Sequence, residues 1–499
     1  MDTKIRSIIA EHHDLTTDND KSDSRNKNIT KKCDEFVKNI SDRISYIHIP
    51  TDINISDFSK IEEKEIQKLT GKNIRDEIQK IITTGKLSAI NKELGKLIET
   101  ISTSLENYKY TTKTSLKNIT MPNIVSKIID EYFSLRHLVK EDTDTKQEDK
   151  VLVQDLSSGE KRKALVELSE AFLKTQKPNN KIIIFAIDEP EASLNNRGCL
   201  KQFERIKNIQ KLPLNIQVIT STHWYGHLPI LDNGLINFIY NDKNNKVGLK
   251  TYDAFSFRET INQEKKEQNS NFSNDISIKS INDLVLSIIS SLQIEKSYSW
   301  LICEGTSDKL YFQHYLKKYV SNGDLIILPI GGAKEVTRIF EHLCVFTKDI
   351  KHSLKSKVLC LTDTDKSFHN FDCKVYDGHN KIFLKRLCHH ENSISIKDYN
   401  MKSSFSPLEI EDCLDETTFL ETLKYFAKSN DNIKAIVEAD SYNTGFFNNI
   451  TPLQKSTIDS FLNANKGNNK VIFANKYIEI ETNYPREISW INELEKILF

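Results

Sequence analysis

The chain has 499 residues, of which 38% are hydrophobic and 28% are charged, with 70 basic and 70 acidic side chains. At roughly 100–200 residues per domain, this length predicts two or three domains. A formal net charge of zero excludes a uniformly basic nucleic-acid-binding chain but is compatible with a local basic groove.

Membrane and secretory signals are missing from the sequence. Apolar runs such as Lys181–Ile187 are far shorter than the roughly 18 residues that a membrane span needs, and Met1–Arg25 lacks the apolar core of a signal peptide. The eight cysteines occur singly and none forms a Cys-x-x-Cys pair, which is typical of reduced thiols. We therefore expect a soluble, cytoplasmic protein with no membrane partner.

The first part of the chain is predicted to hold one strand followed by a helical region. Ile44–Ile49 alternates β-branched and aromatic residues and stops at Pro50, as strands do. From residue 56 to residue 138, apolar residues recur three and four positions apart among many Lys and Glu residues. This spacing predicts a helical arm or insertion with one buried stripe.

The middle of the chain alternates strand and helix signals. Lys181–Ile187 and Asn215–Thr220 are continuous apolar runs, typical of strands buried on both faces of a sheet. Phe238–Tyr252 is predicted to form a hairpin. Residues 262–280 are polar and show no apolar periodicity, so they are predicted to be a linker that ends a first domain of residues 1–261.

The second domain is predicted to cover residues 281–499. Short buried strands alternate there with helices, which argues for a parallel sheet and an α/β fold. The predicted elements are the strands Trp300–Cys303, Leu325–Pro329 and Lys357–Thr362 and the helices Lys309–Val320 and Lys334–Phe346.

Three short signatures between residues 156 and 224 point to nucleotide chemistry. A Ser-Gly turn at a helix start presents backbone N–H groups and the positive end of the helix dipole to a phosphate. A buried strand that ends in two adjacent carboxylates places one to hold Mg²⁺ and the other to polarise an attacking water. A histidine directly after the next strand is placed to contact a γ-phosphate. The candidates are Ser157, Ser158, Gly159 and Glu160 in the turn, Asp188 and Glu189 in the carboxylate pair, and His223.

In this order and at these spacings, the signatures resemble those of ABC-type ATPases, in particular the RecF, SMC and OLD branch. The resemblance implies that Ser157–Glu160 is the signature motif, that Asp188 and Glu189 are the Walker B pair, that Glu191–Leu194 is the D-loop and that His223 is the switch histidine. It further implies ATP as a ligand. Because signature motifs act across a dimer interface, it also implies a homodimer or higher oligomer.

The phosphate-binding loop of that family is missing. It requires Gly-x-x-x-x-Gly-Lys-Ser/Thr, and before residue 159 only Gly71, Gly85 and Gly95 occur. Each is followed by a lysine, but none has a glycine five residues upstream or a Ser or Thr after the lysine. N-terminal truncation, a degenerate ATPase and a second polypeptide that supplies the Walker A lobe are all open accounts. We expect this chain alone not to hydrolyse ATP efficiently.

A second set of carboxylates follows two buried strands of the second domain. Glu304 and Asp308 come after the first strand, and Asp363 and Asp365 come after the second. The Asp-x-Asp spacing directs both side chains to the same side of an extended chain. Converging carboxylates form a hard-oxygen site suited to Mg²⁺ or Mn²⁺, since their like charges need a cation nearby.

This arrangement is similar to the Toprim domain of topoisomerases, primases and OLD-family nucleases, in which a Glu follows the first strand and an Asp-x-Asp follows the third. Leu328–Gly332 is similar to the intervening turn, and the resemblance covers about residues 296–480. It implies that Glu304, Asp363 and Asp365 are catalytic metal ligands.

Further acidic candidates lie in Ser406–Leu414, which is similar to the acidic helix that OLD-type Toprim domains add to the metal site. Ser406 as N-cap with Glu409 at N3 would also make an ordinary capping box. Glu411 has no such local duty, so Glu411 is the stronger candidate metal ligand and Glu409 the second.

Several lysines are candidates for contacting the phosphates of DNA. Asn469–Ala474 resembles the late lysine segment of the family, which implies that Lys470 neutralises charge on a phosphodiester. A solvated surface lysine is the alternative, and Lys476 is the runner-up. The basic stretches Lys161–Lys163 and Lys351–Lys357 are candidate DNA contacts, although solvated faces explain them equally well.

An ABC-type ATPase region followed by a Toprim domain is the layout of OLD-family proteins. The resemblance implies an ATP-regulated, Mg²⁺- or Mn²⁺-dependent DNA endonuclease or nickase, of a kind that acts in bacterial defence against phage. A nucleotide-sensing or partner-dependent interaction protein without ATP turnover is a second hypothesis, favoured for the first domain by the missing phosphate-binding loop. Another Toprim activity, such as nicking–closing, is disfavoured because no topoisomerase tyrosine region is recognisable.

Overall fold

The computed structural model is of the α/β class and divides into two compact units, Met1–His223 and Trp224–Phe499. The predicted helical arm lies partly outside the described residues. The structure describes residues 43–51, 78, 80–103, 118–134, 138–140, 151–175, 182–228, 231, 233–241, 246–268, 271–293, 297–364, 380–390, 393–399, 408–439, 447 and 450–499.

The first unit combines a small parallel sheet with helices. In chain order its elements are β1 (Ile44–Ile49), α1 (Thr84–Thr103), α2 (Met121–Ser134), β2 (Val139–Lys140), β3 (Val151–Leu152), α3 (Ser158–Thr175), β4 (Ile182–Asp188), α4 (Asn196–Gln210) and β5 (Ile216–Ser221).

Strand β4 is the middle strand of the order β1-β4-β5, and both its neighbours run parallel to it. Ile183, Phe185 and Ile187 bury one face of β4, while Ile184 and Ala186 on the other face are half-buried, so the continuous apolar run covers one fully and one partly buried face. All three strands lie within one residue of their predicted positions. Because they are parallel, their carboxyl ends meet at one edge of the sheet, where ligands bind in open α/β sheets.

Helix α1 has the predicted periodicity but not the predicted burial. Leu87 is buried, whereas Ile90, Leu94, Leu97 and Ile98 are 40% to 54% exposed. Periodicity determines which residues share a face of a helix and not what covers that face. The expectation of a buried stripe is therefore wrong for the described part of this helix.

The second unit contains a larger sheet between helices. In chain order its elements are β6 (Leu235–Asn241), β7 (Val247–Asp253), α5 (Phe257–Gln268), α6 (Asn271–Leu292), β8 (Ser299–Cys303), α7 (Thr306–Tyr315), α8 (Lys317–Asn322), β9 (Leu325–Pro329), α9 (Ala333–Thr347), β10 (Val358–Thr362), β11 (Ile382–His390), β12 (Ser393–Asp398), α10 (Glu416–Ala427), α11 (Asp431–Ala439), α12 (Pro452–Leu462), α13 (Asn468–Asn483) and α14 (Ser489–Leu498).

The five-stranded sheet of this unit has the order β12-β11-β10-β8-β9. Its strands are parallel except for β12, which pairs antiparallel with β11. Every residue of β8 and of β10 is buried, since helices cover both faces of the sheet. The predicted hairpin is formed by β6 and β7, which pair antiparallel.

The predicted linker is helical instead. Residues 262–268 lie in α5 and residues 271–280 in α6, and the division between the compact units falls after His223 rather than in this segment. Helix α6 is anchored by apolar residues near its carboxyl end, among them Leu284 and Ile288, which are completely buried. Packing of these apolar residues stabilises the whole helix, including its polar start. The polar composition of residues 262–280 alone therefore does not predict that they are helical. In the described parts of the chain, every helix is too short or too polar to serve as a membrane span.

Candidate active site

Two carboxylates of the second unit meet at the carboxyl edge of its sheet. Glu304 follows β8 and Asp363 follows β10, and these strands are neighbours. The backbone N–H of Asp363 donates to Oε1 of Glu304 at 2.8 Å. The N–H groups of Gly331 and Gly332, after β9, donate to the Glu304 carbonyl at 2.8 and 3.0 Å. Three strand ends are thereby tied to one residue, Glu304.

Asp308 lies in the first turn of α7 and has a structural duty. Its Oδ2 accepts the N–H groups of Glu304 and Gly305 at 3.2 and 3.0 Å, which fixes the turn at the start of this helix. The carboxyl is buried. Burial and then the charge of Glu411 raise the pKa of Asp308 to about 7.

The segment that carries Glu409 and Glu411 is joined to the same edge. Thr364 and Leu408 form an antiparallel bridge with N–H···O distances of 3.1 and 2.9 Å. The N–H of Ile410 donates to Oδ2 of Asp363 at 3.0 Å. This brings the predicted acidic segment next to the first carboxylates.

The capping role of Glu409 differs from the prediction. Glu409 is the N-cap of a short 3₁₀-helix, Ile410–Cys413, and Asp412 accepts its N–H at 3.0 Å. It is not the N3 residue of a helix that begins at Ser406, and Ser406 itself lies outside the described residues. The sequence allowed both readings because Ser, Glu and Asp all occur at helix starts.

Lys470, on α13, contacts both downstream carboxylates. Its Nζ lies 2.9 Å from Oε2 of Glu409 and 3.5 Å from Oε2 of Glu411. Burial opposes the ammonium, but the charges of Glu411 and Glu409 outweigh it and raise the pKa of Lys470. Glu411 is 1% exposed, and its Oε1 is buried without a hydrogen-bond partner. The runner-up, Lys476, instead pairs with Glu479 at 2.7 Å.

A cleft of about 380 Å³ is lined by the predicted residues Glu304, Asp308, Asp363, Glu409 and Lys470, whereas Glu411 is not among its lining residues. One wall consists of residues that the sequence did not indicate, namely Glu259, Asn262 and Gln263 of α5. No motif marks them, and they fall before the predicted second domain or within its linker. The lining residues are Glu259, Asn262, Gln263, Glu304, Gly305, Ser307, Asp308, Gly331, Gly332, Asp363, Glu409, Asn463, Gly467, Lys470 and Val471.

The donor chemistry of this cleft fits a hard divalent cation. Its carboxylates are oxygen donors of the type Mg²⁺ and Mn²⁺ prefer, and Glu411 has a buried oxygen without a partner. Burial, then the charges of Asp308 and Glu304, raise the pKa of Asp363 well above its ordinary range. Among the described residues, no three His, Cys, Asp or Glu side chains are already gathered in the geometry of a metal site. Asp365 lies outside the described residues.

The first unit brings a different set of predicted residues together at the end of β4. Asp188 accepts the hydroxyl of Thr51 at 2.5 Å and also that of Ser221, and the bonds from Ser221 and Thr51 lower its pKa. Glu189 has a φ of +42°, a conformation that non-glycine residues seldom adopt. Its Oε1 lies 3.3 Å from Nε2 of His223.

The Ser-Gly turn packs against the predicted D-loop of the same unit. Ser158 donates to the Ser193 hydroxyl at 3.2 Å, and a side chain on Gly159 would place its Cβ 2.5 Å from the Ser193 carbonyl oxygen. Ser157 accepts the N–H of Glu160 at 3.4 Å, which caps helix α3. Position 159 therefore requires glycine, because the backbone at the start of α3 lies close to the backbone of Ser193.

The structure changes the interpretation of one of the two candidate DNA contacts, because part of it is buried. Lys161 is 9% exposed and Arg162 only 1%, and Arg162 donates to the carbonyls of Glu189 and Ala192 at 3.2 and 2.7 Å. Arg162 therefore stabilises the loop that follows β4 in its own unit. The stretch Lys351–Lys357 precedes β10, at the opposite end of that strand from the cleft.

Comparisons with known proteins do not identify a family. No protein-family model and no curated protein matches the chain. It has a weak likeness to the structure titled "Crystal structure of Stu0660 of Streptococcus thermophilus", with 14% identity and a TM-score of 0.27. The likeness covers 48% of this chain and 65% of that one, slightly under two thirds of its length. At this TM-score it carries no argument about fold or function.

Proposed function

We propose that the protein is a metal-dependent DNA nuclease in which the second unit is a Toprim domain that hydrolyses phosphodiesters. The observation that carries the proposal is the cleft at the carboxyl edge of the parallel sheet. Glu304, Asp363 and Glu409 come from three separate segments and line this cleft together with Lys470, and Lys470 also pairs with the buried Glu411. Buried carboxylates with raised pKa values beside a lysine are typical of functional sites rather than of polar strand ends.

Glu304, Asp363 and Glu411 would hold Mg²⁺ or Mn²⁺. Such an ion, when bound, supplies Lewis acidity toward a phosphodiester and lowers the pKa of water. Lys470 is held in its protonated form by two carboxylates, so it offers a positive charge to a phosphate oxygen. Asp308 holds the turn that carries Glu304 and thereby orients that carboxylate.

For the first unit, we propose an ABC-type nucleotide-binding role that regulates the second. Support comes from the order of Ser157–Glu160, the Asp188–Glu189 pair and His223, and from the contact of the Ser-Gly turn with Ser193. One observation favours nucleotide sensing without turnover as an alternative. Both carboxylate oxygens of Asp188 already accept hydroxyl groups of the protein. A homodimer and DNA are the proposed partners.

The test is cleavage of supercoiled plasmid DNA with Mg²⁺ or Mn²⁺. We expect the wild-type protein to nick or degrade the plasmid and the double variant Asp363→Ala/Asp365→Ala to be inactive. Asp398→Ala is the matched control, since Asp398 is an exposed carboxylate paired with Lys385 at the sheet edge. Undiminished cleavage by the double variant would refute the assignment of the site. A wild-type protein that is inactive under all metal conditions would refute the nuclease proposal.

A further inference from the structure

Helix α5 is fastened to both turns that border the cleft. Asn262 donates to the carbonyl of Ile330 at 3.0 Å, and its amide lies where a side chain on Gly331 would otherwise be, 2.4 Å from the ideal Cβ position. Gly331 has a φ of +91°, which favours glycine independently. On the same helix, Arg258 is 2% exposed and lies 3.7 Å from Glu335 of α9. This side of α5 is therefore fixed against the turn after β9.

Glu259 makes the second attachment, to the turn after β8. Its Oε2 accepts the hydroxyl of Thr306 at 2.5 Å and the Thr306 N–H at 3.4 Å. Thr306 is the first residue of α7, two positions after Glu304, and it is 2% exposed. Glu259 lies in the first turn of its own helix, where a glutamate often caps the helix backbone, but this oxygen is directed to another element instead.

The hydrogen bond between Glu259 and Thr306 lies at the edge of the candidate active site. Glu259 lines the cleft together with Glu304, and it is close enough to Asp308 to contribute to the raised pKa of that carboxyl, after burial and Glu411. Partners that orient metal-binding carboxylates typically change metal affinity about 10–100-fold when they are removed. The Glu304 turn is held from within by Asp308 and from outside by Glu259.

We propose that Glu259 is a positioning residue of the candidate active site, which fixes the Glu304–Thr306 turn so that Glu304 faces the cleft. The role assigned to Glu304 rests on the proposed function, whereas the contact between Glu259 and Thr306 does not. Helix α5 then belongs to the catalytic unit, although its sequence resembles a linker.

Glu264→Ala provides a closely matched control for Glu259→Ala. Glu264 lies on the same helix, and it likewise accepts two hydrogen bonds, from Lys250 at 2.5 Å and from the hydroxyl of Tyr252 at 2.9 Å. Those partners belong to β7 and not to the cleft. Both variants remove one carboxylate of α5 together with its hydrogen bonds, and Glu264→Ala also removes an ion pair with Lys250, so the control loses at least as much contact away from the cleft.

The first measurement is backbone hydrogen exchange of residues 304–309 in the full-length, metal-free protein. We expect faster exchange in Glu259→Ala than in the wild-type protein and in Glu264→Ala, because the Thr306 N–H loses its acceptor. The second is Mn²⁺ affinity by calorimetry. We expect Glu259→Ala to bind Mn²⁺ about 10–100-fold more weakly, Glu259→Gln to be affected less because it keeps an acceptor oxygen, and Glu264→Ala to be unchanged.

Different results would overturn the positioning role of Glu259 and the proposed nuclease function. Unchanged exchange of residues 304–309 in Glu259→Ala overturns the positioning role, whether or not the wild-type protein cleaves DNA. Equal Mn²⁺ affinities for the two alanine variants, with both losing thermal stability, would make Glu259 a structural residue and overturn the role while the nuclease proposal stands. A wild-type protein that neither binds Mn²⁺ nor cleaves DNA overturns the proposed function, and hydrogen exchange still decides whether Glu259 holds the turn.

Discussion

The acidic cluster should make the second unit less stable as pH rises when divalent cations are removed. Burial and then Glu411 raise the pKa of Asp308 from 3.8 to about 7. Between these values the folded state keeps a proton that the unfolded state releases, so the free energy of unfolding falls as pH increases. At 1.36 kcal/mol per pKa unit, the loss from Asp308 between pH 4 and pH 8 is about 4 kcal/mol. Raised pKa values of Asp363 and Glu411 act in the same direction.

Differential scanning calorimetry in EDTA at pH 4, 5, 6, 7 and 8 measures this effect. A loss of about 4 kcal/mol corresponds to a decrease of roughly 8–16 °C in the unfolding temperature of the second unit. Asp308→Asn should reduce the decrease, because asparagine keeps an oxygen that accepts the N–H groups of Glu304 and Gly305 but has no proton to release. Asp398→Asn, at a side chain 79% exposed, should keep the full decrease.

Two results would refute this reasoning. An unfolding temperature of the wild-type second unit that is constant or rising from pH 5 to pH 8 would show that the cluster does not hold a proton. A decrease of the same size in Asp308→Asn would show that the proton resides elsewhere. Addition of Mn²⁺ at pH 8 should restore part of the lost stability, because a bound cation replaces the proton as the partner of the carboxylates.

Three further predictions concern the first unit. Gly159→Ala should lower its unfolding free energy by about 1–3 kcal/mol, because the new Cβ would lie 2.5 Å from the Ser193 carbonyl oxygen. Gly95→Ala, where nothing lies within 4 Å of the added Cβ, should instead raise stability by up to about 1 kcal/mol, and thermal unfolding distinguishes the two signs. Arg162→Met should cost about 3 kcal/mol or more, since buried carbonyls lose their donor; an unchanged urea midpoint would contradict the stabilising role. The purified chain should release negligible phosphate from ATP, and ready turnover would contradict that expectation.

The strands were predictable because short runs of β-branched and other apolar residues are bounded by Pro or polar residues. Ile44–Ile49 was predicted with its observed bounds, and Leu325–Pro329 likewise. Both are edge strands of their sheets, and in β1 the alternation of the sequence matches the alternation of buried Ile47 and Ile49 with exposed Tyr46. The adjacency of Glu304 and Asp363 followed from the predicted parallel sheet, since parallel neighbours end at one edge.

Residues whose role depends on contacts distant in the chain were not predictable. Glu259 reaches Thr306, which is 47 positions away, and no local pattern distinguishes it from other glutamates of a polar helix. Exposure of Ile90 and Leu94 on α1 likewise depends on what the rest of the chain leaves uncovered. The duty of Asp308 was missed because its partners are backbone N–H groups, which sequence does not display.

The neutral net charge of the chain conceals a strong local imbalance that constrains how the cleft can work. Its lining includes five carboxylates and one cation, Lys470, in a protein whose acidic and basic side chains are equal in number. A phosphodiester would be repelled from such a surface unless protons or a cation compensated it. Because Asp308, with a pKa raised to about 7, loses its proton as pH rises through that value, DNA binding at the cleft should depend more on a divalent cation at higher pH. The acidic excess that argues against simple DNA binding is thus the feature that a metal-dependent nuclease requires.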